Sequence, residues 1–271
     1  MASRLSIGAF YNPHLAREIL ESADLIDHLA MADSPSPHDT AWPSIRNRFT
    51  LLLHDYLGQL SEPLDGYELE RARSLLDRYR SPWAAEHLQR IRCTADRGSP
   101  NQTPRLDYVF PPVYTEDLLA DYATNIGALR EQLGVPLAIE PIPTYLHLPI
   151  PQMSEAEFLH RLCAESGCHL LLDIAHTVLS ARFYDRDPRS FLLEQPLEYV
   201  IEIHVAGCAY DPDLQEPWIA PVLPDRDILD LAVIAAARAP RLRGVTFDAF
   251  TPHLTAETLL NGVRLLRERF L

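Results

Sequence analysis

Short apolar runs alternate with helix-spaced stretches along almost the whole chain, and this alternation is the strongest constraint on its fold. The β-like runs are Leu5–Phe10, Leu25–Met31, Thr50–His54, Trp83–His87, Leu137–Glu140, His169–Asp173, Tyr199–His204 and Gly244–Asp248. Between most of them lie segments with helical spacing: His14–Ser22, Tyr67–Tyr79, Thr115–Leu133, Glu155–Ser166, Asp225–Ala237 and Ala256–Arg269. Ser154, three residues before Glu157, and Thr255, three before Thr258, stand where N-caps are expected. Eight strands separated by helices, with no linker, repeat or low-complexity tract, predict a single α/β domain over residues 1–271. The expected architecture is a (β/α)8 TIM barrel with its active site at the C-terminal face of the strands. A doubly wound open sheet uses the same alternation and is the alternative. Two long proline-rich gaps, Ser34–Ser44 and Asp211–Pro224, read either as connections at the active face or as a surface for a peptide or partner.

Composition narrows the chemistry. At 271 residues the fold can bury roughly 70–75% of the unfolded chain's surface, so neither disulfide nor metal is needed as a staple. The net charge of -14 opposes phosphate-dominated nucleic-acid binding. All 24 basic residues are arginine, which removes Schiff-base, pyridoxal-phosphate and P-loop chemistry, each of which needs a lysine. No G-x-G-x-x-G loop is present, so dinucleotide binding by that fingerprint is unsupported. Four cysteines (Cys93, Cys163, Cys168, Cys208) without a C-x-x-C pair suggest buried thiols in a reducing cytoplasm. The first 25 residues carry Glu18 and Glu21 and no long apolar run, so neither a signal peptide nor a membrane span is expected.

The informative polar residues stand at strand ends. His54, His87, Glu140, Asp173, His204 and Asp248 each close one of the eight runs. In a parallel barrel all strand C-termini open onto one face, so these six side chains would converge on one axial pocket. Such a cluster is costly unless protons or cations hold it together. Taken singly, each has a plainer role: a lone histidine is commonly a hydrogen-bonded core residue, and Asp173 or Asp248 could cap a following helix. His176, three residues after Asp173, can reach the same cavity or can simply pair with Asp173. An all-nitrogen-and-oxygen donor set suits iron, manganese or zinc, and seven donors are enough for two ions or three. Two ions about 3.5–4 Å apart need a bridging carboxylate, for which Glu140 or Asp173 is the natural choice. Tyr145 and Arg182 are further candidates, as anchors for a substrate carboxylate or phenol.

The segment L-A-I-E-P-I-P-T-Y-L (Leu137–Leu146) resembles the E-N-x-x-[ST]-Y stretch of the multinuclear non-heme iron-dependent oxidative enzymes, formerly DUF692. The resemblance continues through Ser154–Leu159, G-C-H-L-L-L-D-I-A-H (Gly167–His176) and E-I-H-V-A-G (Glu202–Gly207). Upstream, Leu51–Asp55, Ala85–Leu88 and Leu106–Leu119 fall in the family's order. It implies a TIM barrel with two or three irons, and ligation by His54, His87, Glu140, Asp173, His204 and the residue three after Asp173. It also implies dioxygen-dependent oxidation of a peptide residue or an amino-acid-derived molecule, often with a partner protein presenting the peptide. Three departures stand out: His176 replaces the family's asparagine, Asp248 replaces a glutamate, and the D-x-H pair is missing from Asp211–Trp218. Together they point to a divergent member with two metals and His176 as a compensating ligand. The same strand-end carboxylates and D-x-x-H also resemble the wider xylose-isomerase-like superfamily. A divalent-metal sugar isomerase or epimerase, with Glu140 and Asp248 moving a proton, is therefore the competing expectation.

Overall fold

The computed structural model describes residues 4–32, 39–55, 57–92, 105–147, 151–211, 216–220, 222–251 and 253–271. Eight parallel strands close into a barrel: β1 (Ser6–Phe10), β2 (His28–Met31), β3 (Thr50–His54), β4 (Ala84–Leu88), β7 (Leu137–Pro141), β8 (His169–Asp173), β9 (Val200–Val205) and β12 (Gly244–Phe247). Each coincides with one of the eight apolar runs, and closure through β1–β12 pairing excludes the open sheet.

Helices cover the outside of the barrel. α1 (Ala16–Glu21) follows a 3-10 turn at Pro13–Leu15, which splits the helix expected over His14–Ser22 because proline pre-sets the first turn. α3 (Gly66–Tyr79), α4 (Glu116–Leu133), α5 (Glu155–Ser166), α8 (Arg226–Ala236) and α9 (Ala256–Phe270) match the amphipathic stretches. Ser154 and Thr255 do cap α5 and α9, accepting from the amides of Glu157 and Thr258. Three helices had no clear amphipathic signal: α2 (Trp42–Arg48), which begins at the end of the first proline-rich gap, α6 (Ile174–Phe183) and α7 (Pro188–Glu194). α6 is buried on nearly every face, so its sequence lacks the polar stripe that marks a surface helix.

Two antiparallel hairpins stand outside the barrel. β5 (Arg90–Arg92) pairs with β6 (Arg105–Phe110), and β10 (Gly207–Asp211) pairs with β11 (Glu216–Ala220). The second occupies much of the gap Asp211–Pro224. Residues 34–38 of the first gap, 212–215 and 221 of the second, and Cys93, lie outside the described residues. Cys163 and Cys168 are buried, with sulfurs 3.7 Å apart, whereas Cys208 is only half-buried, against the expectation for all thiols.

Side-chain alternation sorts the strands into two faces. Ile7, Leu29, Leu51, Leu53, Leu137, Ile139, Leu170, Leu172, Ile203, Val205, Val245 and Phe247 point outward and pack beneath the helices. The barrel interior holds a smaller apolar plug of Leu52, Trp83, Ala85, Ala138, Leu171 and Ile201, where the two alanines leave room for the indole. Pairing between β8 and β9 shifts register between Leu170 and Leu171: Leu170 faces Val200, but Leu171 faces Glu202. The extra residue brings both Glu202 and His204 to the interior and sets Asp173 beside His204.

Candidate metal centre

At the C-terminal ends of the strands the interior turns polar. Register alone makes His87 the neighbour of Glu140 and Asp173 the neighbour of His204. Glu140, 1% exposed, lies at the middle of the cluster. Its Oε2 is 2.5 Å from His54 Nε2 and 3.3 Å from His87 Nε2, and its Oε1 is 3.4 Å from His176 Nδ1. His54 stacks on His204, with ring centroids 5.2 Å apart, and meets His87 edge-on at 4.9 Å. His204 Nδ1 stands 3.6 Å from Asp248 Oδ2, beyond hydrogen-bond reach. The seven expected metal donors are therefore drawn together at one mouth.

Among the described residues, donor atoms within 4.8 Å of one another form four groups: His54, Glu140 and His204; Glu140, Asp173 and His176; Asp173, His204 and Asp248; and Asp55, Glu86 and His87. The first three share members, with Glu140, Asp173 and His204 each belonging to two. The fourth differs in kind. Glu86 Oε2 accepts from the amides of Leu57 and Gly58 at 2.5 and 3.1 Å, and Oε1 accepts from His87 N at 2.9 Å, so this carboxylate organises a loop.

The remaining polar contacts fix the donors. Asp173 does cap α6: Oδ1 accepts from His176 N at 2.7 Å, while Oδ2 is buried without a partner. Both roles foreseen for this residue are thus open to it, one per oxygen. Asp248 caps no helix; Thr255 does that for α9. His176 Nδ1 lies 2.9 Å from the carbonyl of Pro141, an acceptor that assigns the ring hydrogen to Nδ1 and leaves Nε2 free. His87 Nδ1 lies 3.2 Å from Asp55 Oδ1. Asp55 has φ +52°, a left-handed turn immediately after β3 that is uncommon for a residue with a side chain. Phe10 lies edge-on to His54 and His204, with centroids at 5.4 and 5.6 Å, and closes one side of the cluster with hydrocarbon.

Titration follows from the crowding. Burial opposes charge throughout, but Glu140 and then Asp55 outweigh it for His87, which rises to about 9. His204 likewise rises well above the usual imidazole range: burial opposes this, but Asp248 and Glu202 prevail. Glu140 is held far below the usual carboxylate range by His87 and His54, against its burial. Burial pushes Asp173 up to about 6, with Asp248 and Glu140 adding to it and His176 opposing. Protons here do what cations could do, which is to offset several buried carboxylates.

The donors fit a metal centre. The set is all imidazole and carboxylate, the groups overlap through Glu140, Asp173 and His204, and three buried atoms (His54 Nδ1, Asp173 Oδ2, His204 Nδ1) have no hydrogen-bond partner. Tyr145, half-exposed, and Arg182, exposed, belong to none of the groups. Sequence reasoning missed Asp55, Phe10 and Glu202. For Glu202 a signal existed: two residues before His204 in one strand, it must share that residue's face.

A model of the RiPP precursor modification enzymes MbnB/TglH/ChrH matches residues 15–223. A UPF0276 protein of Caulobacter vibrioides is 32% identical over 167 residues, covering 60% of this chain and 56% of that protein's length. A UPF0276 protein of Bordetella pertussis is 29% identical over 221 residues, 79% of this chain and 73% of its own. Among solved structures, a 3-keto-D-glucoside 4-epimerase from E. coli superposes with TM-score 0.59 at 11% identity, covering 98% of this chain and 100% of that one. A xylose isomerase-like TIM barrel protein from Mycobacterium smegmatis, in complex with magnesium, gives 0.58 at 13% identity with full coverage of both chains. At such identities the likeness shows the fold. Among the described residues no helix is long and apolar enough to cross a membrane.

Proposed function

The chain belongs to the family of RiPP precursor modification enzymes MbnB/TglH/ChrH, and from that premise we propose that it is an iron-dependent oxidase. It would use dioxygen to modify a residue of a ribosomally made peptide, or an amino-acid-derived small molecule, in the cytoplasm. The observation that carries this reading is the set of three overlapping donor groups linked through Glu140, Asp173 and His204. His54, His87, Glu140, Asp173, His176, His204 and Asp248 would hold the ions, two per chain, with Glu140 or Asp173 as the bridging carboxylate. Iron in such a site supplies one-electron chemistry and open positions for substrate and dioxygen.

The chain's own residues would bind, orient and exclude water. Glu140, buried and flanked by three imidazoles, keeps its charge and draws cations inward. Asp173 spends one oxygen on the first turn of α6, so its ligating oxygen is fixed in direction by the helix. Phe10 keeps water from the His54 and His204 side of the site. A partner protein that presents the peptide belongs to the same proposal, as does the absence of nucleic-acid and membrane roles.

Anaerobic reconstitution with ferrous iron tests the reading. Elemental analysis is expected to give roughly two irons per chain, and oxygen consumption is expected to depend on that loading. Retention of zinc alone, with no oxygen uptake at any iron loading, would refute the oxidase. Turnover of a sugar without oxygen would instead favour isomerase chemistry.

A further inference from the structure

Beneath the candidate ligands a chain of hydrogen bonds crosses the barrel interior. Ser6 Oγ lies 2.7 Å from His28 Nδ1, and His28 Nε2 lies 2.8 Å from Thr246 Oγ1. Thr246 Oγ1 lies 2.6 Å from Glu202 Oε1, Trp83 Nε1 lies 2.7 Å from Glu202 Oε2, and His204 Nε2 lies 3.2 Å from Glu202 Oε1. His28, Glu202, His204 and Thr246 are each at most 1% exposed.

Donor and acceptor chemistry sets the direction of every link. Indole N–H can only donate and a carboxylate can only accept. Thr246 therefore gives its hydrogen to Glu202 and must accept from His28 Nε2–H, which leaves His28 Nδ1 to accept from Ser6. The same rule at the other end puts a hydrogen on His204 Nε2, donated to Glu202. The ring atom left to bind something else is Nδ1, buried and without a hydrogen-bond partner, with Asp248 Oδ2 3.6 Å away.

We propose that Glu202 is a positioning residue: it fixes His204 in the orientation and Nε2–H form that turns Nδ1 toward the metal ions. Trp83 and the Thr246–His28–Ser6 arm hold Glu202 in turn. The inference rests on the reading of His204 as a ligand. A carboxylate behind a ligating imidazole raises its basicity and fixes its tautomer. The Glu202 link reaches through the barrel core, so the ligand is anchored to the strands themselves.

The test uses zinc(II), which is diamagnetic, and the full chain. In 15N-histidine spectra of the zinc-loaded wild type, the His204 signal, assigned by its loss in His204→Ala, is expected to keep its proton on Nε2 and show a metal-bound Nδ1. Zinc affinity, measured by competition with a chromophoric chelator, is expected to fall roughly 10- to 100-fold in Glu202→Gln and less in Thr246→Val. Circular dichroism checks that each variant folds; if Glu202→Gln does not, the wild-type spectrum and Thr246→Val decide. A proton on Nδ1 in the loaded wild type, or unchanged affinity in a folded Glu202→Gln, overturns the proposal. Unchanged affinity in His204→Ala overturns instead the assignment of His204 as a ligand.

Discussion

The barrel interior holds two polar layers, and they solve burial in opposite ways. In the layer toward the strand N-termini, Ser6, His28, Thr246, Glu202 and Trp83 form a linear chain in which donors meet acceptors. None of the buried side-chain atoms left unpartnered among the described residues belongs to it. In the layer at the mouth, His54 Nδ1, Asp173 Oδ2 and His204 Nδ1 are buried without hydrogen-bond partners. Each such atom costs about 1–3 kcal/mol unless something outside the protein satisfies it. The lower layer is complete as folded, and the upper one is shaped for a guest.

The largest effect is expected from Gly8→Ala in the lower layer. A Cβ there would stand 2.2 Å from the His28 carbonyl oxygen and 2.4 Å from its ring, and the backbone cannot yield cheaply. Urea unfolding should show a loss of about 3 kcal/mol or more, with or without zinc. Stability within 0.5 kcal/mol of wild type would mean the layer is looser than its geometry.

Next comes a difference in pH response. Burial depresses His28 from 6.5 to about 4, so between those values the unfolded state binds more protons. Stability from this group is full above pH 6.5 and falls by about 3 kcal/mol as pH drops through 4. His87 has the opposite sign. Raised from 6.5 to about 9, it stabilises fully below 6.5 and that contribution is lost as pH rises through 9. In metal-free protein, His28→Gln should flatten the acid limb of a stability profile, and zinc loading should flatten the alkaline limb. Identical acid limbs in wild type and variant would remove the distinction between the layers.

The smallest effect is expected outside both layers. Tyr145→Ala and Arg182→Ala should leave zinc affinity within about twofold, as exposed groups outside the donor clusters. A tenfold loss by chelator competition would extend the centre to its rim.

Legibility in the sequence followed the same division. All eight barrel strands were readable because strands buried on both sides are short apolar runs, and the terminal His or carboxylate of six of them marked the mouth. α6 escaped because burial on nearly every face erased its period. The hairpin β10–β11 escaped because its prolines suggested a loop. Within the centre, Asp55 was hidden because its approach to His87 depends on a left-handed turn that no spacing encodes. Glu202 could be placed on the face of His204 by its spacing, but its partner Thr246 lies mid-strand among apolar residues, where a polar residue shows its purpose only once its cross-barrel contacts are known.

The register shift opposite Leu170 decides where β9 tolerates a change of length. Removing the extra residue, Ile201, would leave Leu171 facing Glu202 and Asp173 facing His204, whereas losing Ile203 would turn His204 out beneath the helices. A one-residue deletion scan along β9 would therefore separate positions that keep an imidazole at the mouth from those that lose it.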